Sequence, residues 1–480
     1  MLQNINIRKN TSRSKVRNKI IRIWELFREA VSGKEKNHTE GNIKKALFLL
    51  AIPMVLEMIF ESVFAIVDIY FVSKLGDDAV ATVGITESIT TIVYAIGFGL
   101  SMATTALVAR RIGEKKPEEA SKVAFQAIVT GAIASIFIAI IGIFYSRDLL
   151  GLMGANSTIV NEMSGYTTII LGSNIIIMML FINNAIFRSA GDAALSMRVL
   201  IVANCLNIIL DPLLIFGLGP IPAMGVEGAA IATSIGRGIA VIYQFVLLAK
   251  GSGQIHLRRE HIRIKLKTMK QLIGLSVGGI GQNIIATSSW IGLMRIMAEF
   301  GSAAIAGYTI AIRILIFILL PSWGLSNAAA TLVGQNLGAE QPDRAEKSVW
   351  VAGKINVIFL GLIGVVFYLF PRFFIELFTM DQAIVSNGIQ ALQIISIGFV
   401  FYGLGMVLLN ALNGAGDTKT PTILNFISFW LVEIPIAYFL AIHFAWDQKG
   451  VFYSIIIAEM TLTLIAFFWF KQGKWKLKKV

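Results

Sequence analysis

Twelve runs of about twenty predominantly apolar residues divide this chain, near 46–72, 84–110, 122–145, 165–187, 195–216, 227–249, 269–297, 304–333, 348–370, 385–411, 420–442 and 450–470. Each is long enough to cross the hydrocarbon of a bilayer as a helix. Each is also too long and too continuously apolar for a barrel strand of about ten alternating residues. With 56% hydrophobic and only 15% charged residues among 480, and a mean hydropathy of +0.73, lipid is the main solvent. The expected fold is all-α integral membrane, with twelve transmembrane helices.

A net charge of +13 raises the question of nucleic acid, and the placement of the basic residues answers it. Most lie in the first 45 residues, in the connector at 250–270 and in the terminal KQGKWKLKK, whereas the alternate loops carry isolated cases such as Lys74, Arg147, Arg372 and Lys449. By the positive-inside rule both termini are expected in the cytoplasm of a plasma or inner membrane. No basic surface interleaved with stacking aromatics is present, so no nucleic-acid partner is expected. The amino-terminal segment has no compact apolar core before residue 46, so the first span is expected to act as its own insertion signal. Within it, VRNKIIRIWELFREAV sets Ile20, Trp24, Phe27 and Val31 on one face, which reads either as a helix lying in the headgroup layer or as a partly disordered basic tail. Cys205 is the single cysteine, which excludes internal disulfides and Cys-based metal sites. His38, His256, His261 and His443 fall in connectors or near span ends, leaving proton work inside the bilayer to carboxylates.

The chain repeats itself at an offset of 225. LVARRIGEKKPEEASK at 107–122 returns as LVGQNLGAEQPDRAEK at 332–347. Gly76 pairs with Gly301, Ala81 with Ala306, Ser101 with Ser326, Gly113 with Gly338, Pro117 with Pro342, AGD at 190–192 with AGD at 415–417, and Gly225-Val226 with Gly450-Val451. The chain is therefore two copies of one six-helix unit. Six is even, so both copies insert with the same orientation, related by an axis along the membrane normal and facing each other across a central cavity. The expected organisation is a basic tail at 1–44, an amino lobe at 45–250, a linker at 251–268, a carboxy lobe at 269–471 and a basic tail at 472–480. Two such lobes can rock, exposing a midplane cavity to one side and then the other. The repeated loops RIGEKKP and NLGAEQP are explained by Gly ending one helix and Pro starting the next.

Coupling chemistry should show where the halves differ. In the first span Glu57, Glu61 and Asp68 lie within a stripe roughly 40° wide at about 100° per residue; their offset partners are Gln282, Ala286 and Leu293. In the fifth span Asn207 and Asp211 sit one turn apart before Pro212, where the second half has Val432 and Ile436, and Thr233 in the sixth corresponds to Ala458. An acid near the bilayer centre costs roughly 2.5–3.5 kcal/mol on insertion scales. Two carboxylates in a poorly hydrated site cannot both stay ionised cheaply, so the pair can share a proton or take a small cation in its place. Asn and Thr oxygens, and the carbonyl that Pro212 leaves free, would complete a hard-cation site.

At these residues the sequence resembles the multidrug and toxic compound extrusion (MATE) transporters, over essentially all of 45–470. That resemblance implies twelve spans in two lobes and exchange of H⁺ or Na⁺ for organic, mostly cationic and amphipathic, compounds. Asp68 in VDIYFVSKLG matches the family's first-span Asp, Asn207 and Asp211 in NIILDP its fifth-span pair, and Thr233 in GAAIAT its sixth-span Thr. It also implies Tyr166 and Asn184 as hydrogen-bonding partners of that site, with Glu61, where the family commonly has Gln, in the supporting network. Glu57, Glu87, Gln282 and Arg313 are candidates for the substrate cavity, Arg313 as a partner for an acid across it. Members with a carboxy-lobe ion site carry acids in spans seven and ten, which this chain lacks, so Glu433 and Glu459 are expected to be local hydrogen bonders. Aromatic and Met residues such as Met54, Met58, Phe60, Phe64, Met178, Met179, Trp290 and Met294 are mostly packing or lipid-facing residues, some of them available to a pliable pocket. Pro53, Pro321 and Pro435 are expected at kinks.

The resulting expectation is a secondary-active exporter, monomeric, bathed in membrane lipid, with small organic cations as its partners. No cofactor and no catalytic residue are expected, the coupling ion being H⁺ or Na⁺. No G-x4-G-K-S/T nucleotide motif occurs. A lipid-linked oligosaccharide flippase of the related superfamily would favour a strongly cationic cavity, whereas the spans read as offering mainly acids. A channel lacks its filter-like ring, and a membrane enzyme its clustered ligands or nucleophile–base pair.

Overall fold

The computed structural model describes residues 21–33, 38–251 and 253–480, and its spans fall where the apolar runs are. In chain order they are Ile43–Ser73, Asp77–Gly113, Pro117–Leu152, the pair Ser164–Gly172 and Asn174–Ser189, Ala193–Phe216, Gly225–Lys250, Leu266–Met297, Ser302–Gly338, Pro342–Leu369, the pair Gln382–Ile397 and Phe399–Gly414, Lys419–His443, and Gln448–Lys471. Nine single helices and the two bent pairs are long and apolar enough to cross a membrane. The twelfth, span 7, is 32 residues long. Gln282, Asn283, Thr287, Ser288 and Ser289 make it the least apolar of the set. The all-helical outcome follows from the solvent: in lipid every backbone N–H and C=O must be satisfied within the segment.

The duplication is visible in backbone detail. Lys115 and Glu340, 225 apart, share the left-handed conformation at φ 58° and 57°. The two bent spans break at Ser173 and Gly398, also 225 apart, by 40° and 55°. Neither break is at a proline; spans 1 and 8 continue through Pro53 and Pro321 as single helices. Span 11 is where the halves diverge most. It carries π-helical turns at Phe426–Glu433 and Phe439–His443, whereas its counterpart, span 5, is α-helical throughout.

Contacts between the lobes are reciprocal. A Cβ on Gly113 would meet the Gln335 carbonyl, and one on Gly338 the Arg110 carbonyl, which is the same contact seen from the other lobe. Gly99 lies against Ser276 and Ile280, and Gly324 against Met54 and Val55, again in matching positions. Such reciprocity is the signature of a two-fold interface, here generated within one chain. Phe98 and Trp323, themselves 225 apart, stack at 5.6 Å and 14° on the pseudo-axis.

These contacts gather at the end that carries the linker. The apolar cluster holding Leu47, Leu50 and Met54 of span 1 mixes with residues of spans 8 to 12. At the opposite end the clusters stay within one lobe: Val72, Val83, Tyr166 and Ile215 in the amino lobe, Leu293, Tyr308, Phe367 and Val451 in the carboxy lobe. The lobes are closed at the linker end and part toward the other.

The segments outside the spans are fastened. The linker runs along span 3, where Glu118 accepts from His261 at 2.6 Å and the Gln126 side chain bonds Arg263 O and Lys265 N. Residues 472–480 form a strap over the seam. Trp475 stacks on Phe470 at 4.6 Å, Lys476 pairs with Glu346 at 2.6 Å and Lys478 with Asp417 at 3.1 Å, all in the carboxy lobe; Arg110 and Arg111 of the amino lobe donate to Lys478 O and Val480 O. Residues 21–32 are helical, with Ile21, Ile23 and Trp24 exposed and Val31 O held by Arg198. Ile20, part of the expected apolar face, lies outside the described residues.

Candidate functional site

Span 5 presents Asn207 and Asp211 on one face because they are four residues apart, and both are almost fully buried. The Asn207 amide donates to Asp211 Oδ1 and to Thr233 Oγ1 of span 6, each at 3.2 Å. Asp68, on span 1, is within Coulombic reach of Asp211, and Tyr166 of span 4 is in turn within reach of Asp68. Three buried acceptor oxygens in this cluster, Asp68 Oδ1, Asp211 Oδ2 and Asn207 Oδ1, have no donor among the described residues. Buried acceptors left without donors are costly, and a proton or a small hard cation is what such an oxygen set accepts. Asp68, Asn207, Asp211, Thr233 and Tyr166 are thus brought together.

Asn184 is not part of that cluster. Its amide donates to Glu57 Oε1 at 3.1 Å, and its carbonyl accepts from Gln244 at 2.7 Å. Glu57 also accepts from Arg188 at 3.2 Å, and Glu61 from Arg237 at 2.7 Å. Arg237 lies over the Phe64 ring at 4.9 Å and within Coulombic reach of Asp68, linking Glu61 to the aspartates. These two arginines correct the expectation of a membrane core offering mainly acids. By sequence Arg188 sits at the cytoplasmic end of its apolar run, where a basic residue reads as an ordinary flank, whereas Arg237 lies midway along its own; in the structure both turn inward and are nine-tenths buried. The signal that could have found them is the offset itself: Arg188 aligns with Asn413 and Glu57 with Gln282, and Gln282 and Asn413 form the matching pair in the carboxy lobe, two hydrogen bonds of 3.0 and 3.1 Å. One interaction thus exists twice, charged in one lobe and neutral in the other.

Glu87 and Arg313 are both exposed, in opposite lobes on spans 2 and 8, with Arg313 the charge that acts on Glu87. No ion pair within 4 Å joins them among the described residues.

Two chambers flank the Phe98–Trp323 stack. The amino-lobe chamber, about 510 Å³, is lined by Glu57, Glu61, Arg188 and Arg237, so its formal charges cancel. The carboxy-lobe chamber, about 420 Å³, has Glu433 and Glu459 as its charged lining residues. Both keep a local hydrogen-bond partner, Ser289 for Glu433 and Tyr402 for Glu459, as expected, and in addition they face the chamber. The reason is the π turn: Ser428 and Glu433, successive buried positions of span 11, are five apart rather than four, which moves the inward register by one residue relative to span 5. A fixed offset assigns Asn207 to Val432; the shifted register puts Glu433 there. Glu459 is the offset partner of Ser234, next to Thr233.

Two repeated six-span lobes, closed over one end of a central cavity, define a polytopic membrane protein of the transporter class. The chain belongs to the MatE family, whose model matches residues 53–213 and 280–439, one copy in each lobe. A probable multidrug resistance protein, NorM, of Thermotoga maritima is 27% identical over 447 residues, covering 91% of this chain and 94% of that protein. The multidrug export protein MepA of Staphylococcus aureus is 24% identical over 423 residues, covering 88% and 92%. The outward-facing conformation of a multidrug resistance MATE family transporter superposes with a TM-score of 0.87 at 25% identity, covering 93% of this chain and 99% of that one.

Proposed function

We propose that this chain is an ion-driven multidrug exporter that moves organic cations against H⁺ or Na⁺. The observation that carries the reading is the set of donor-less oxygens on Asp68, Asp211 and Asn207, buried beside Thr233 in one lobe of a duplicated scaffold. A proton or Na⁺ seated there removes one of the two negative charges of the paired aspartates and weakens their hold on Arg237, which also pairs with Glu61. That changes the packing of spans 1, 5 and 6 against one another. Substrate favours the opposite disposition of the lobes, and two ligands that shift one equilibrium in opposite senses are thereby coupled. A flippase for an anionic lipid-linked sugar is the less favoured reading, because neither chamber has an excess of basic lining residues.

The test is efflux of a cationic dye from proteoliposomes driven separately by a pH gradient and by a Na⁺ gradient. Wild type is expected to concentrate the dye under one of them, and Asp68→Asn under neither. An Asp68→Asn protein that concentrates dye as well as wild type removes the coupling role assigned to this site.

A further inference from the structure

We infer that the carboxy-lobe chamber is the binding site for the exported cation, with Glu433 and Glu459 as its counter-charges, so that the two lobes divide the work: coupling ion in one, cargo in the other. The inference rests on the exporter reading above and deepens it.

Glu433 and Glu459 are 5% and 6% exposed, come from adjacent spans 11 and 12, and are close enough to repel each other. The Ser289 hydroxyl neighbours the first and the Tyr402 hydroxyl the second. Among the described residues no Lys, Arg or His lines the chamber, whereas each glutamate of the amino-lobe chamber has its own arginine at 3.2 Å or less. Buried carboxylates without a basic partner are retained where something cationic supplies the partner. Asn425, also in the lining and 7% exposed, has a side-chain oxygen without a donor, an independent sign that a polar ligand group is accommodated there.

Size and lining then select the cation. A cage for a bare ion closes on it at two to three ångströms, but this chamber holds about 420 Å³, within the range of small-molecule sites. Trp290, Trp323, Phe98 and Phe429 add aromatic faces, which attract delocalised or quaternary cations. The ligand class is a lipophilic organic cation of drug size. Spans 7 and 10 line the chamber without contributing a charge to it, their facing residues Gln282 and Asn413 satisfying each other.

The experiment measures binding without transport, on the full-length protein in nanodiscs, with tetraphenylphosphonium as the probe and calorimetry as the readout. Glu433→Gln with Glu459→Gln is expected to weaken binding about tenfold or more. Arg372→Gln, an exposed change outside both chambers, is expected to stay within about twofold of wild type. Ala286→Phe, which fills the chamber from span 7 and leaves both carboxylates in place, is expected to weaken binding as the double glutamine variant does, and covers the case in which that variant misfolds. Wild-type affinity in Ala286→Phe, or in a folded double glutamine variant, overturns this assignment and leaves the exporter reading standing. A wild-type protein that binds no tetraphenylphosphonium overturns this assignment together with the cation class proposed above.

Discussion

Glu57 and Arg188 carry a lesson about buried charge. Their side chains are 3% and 10% exposed, so neither is replaced cheaply alone: breaking a buried pair leaves an uncompensated charge and typically costs about 3–5 kcal/mol. Arg188→Asn alone should therefore destabilise the folded protein by about that amount. The carboxy lobe shows the neutral solution to the same geometry in Gln282 and Asn413. Glu57→Gln combined with Arg188→Asn copies that pair and should recover most of the loss in a double-mutant cycle of unfolding in detergent. Additive losses would mean that the two side chains are not coupled. At this scale the sequence is legible where a residue type is rare in lipid: Asp68, Asp211 and the first-span glutamates stand out by identity and offset. Arg188 does not, because a basic residue at the cytoplasmic end of a span is commonplace and only tertiary packing shows that it turns inward; Arg237, midway along span 6, is as rare in lipid as the acids and is legible by the same criterion.

Among the elements, spans 2 and 8 matter most to motion, since their crossing at Gly113 and Gly338 leaves no room for a Cβ on either side. Gly113→Val should hold the linker-side closure apart. In a Cys205→Ser background, a cysteine at Ala330, which lines the amino-lobe chamber, should change from protected to labelled by an impermeant maleimide applied from the linker side. Unchanged protection would show that the crossing is not the seal. The apolar runs and the repeat made all twelve spans readable to within a few residues at most ends. What they could not show was the register inside span 11. A π turn leaves hydropathy unaltered and yet rotates every later side chain, so the fixed offset pairs Asn207 with Val432 where the structure turns Glu433 inward. The same limit explains the bends at Ser173 and Gly398, positions that carry no proline to announce them.

At the scale of the whole molecule, the pseudo-two-fold arrangement followed from an even number of spans and a constant offset, whereas the strap of residues 472–480 read only as a basic tail. Its Lys476 is held above the ordinary lysine value of 10.5, first by its bond to Glu346 and then by Asp343. A raised cationic group contributes fully below its unfolded value and loses that contribution as pH climbs through the folded one. Trp475 fluorescence should accordingly report an attached strap through the neutral range and release only above about pH 10.5; release near neutrality would contradict the ion pairs. Because the strap grips the carboxy lobe through Trp475, Lys476 and Lys478 and the amino lobe through Arg110 and Arg111, tilting the halves apart at that face means peeling it away. It works as a preload on a clamp: part of the energy drawn from the gradient goes into unfastening it on each cycle and is returned on reclosure. Cutting it loose with Trp475→Ala should make the clamp lighter to open and less certain to shut.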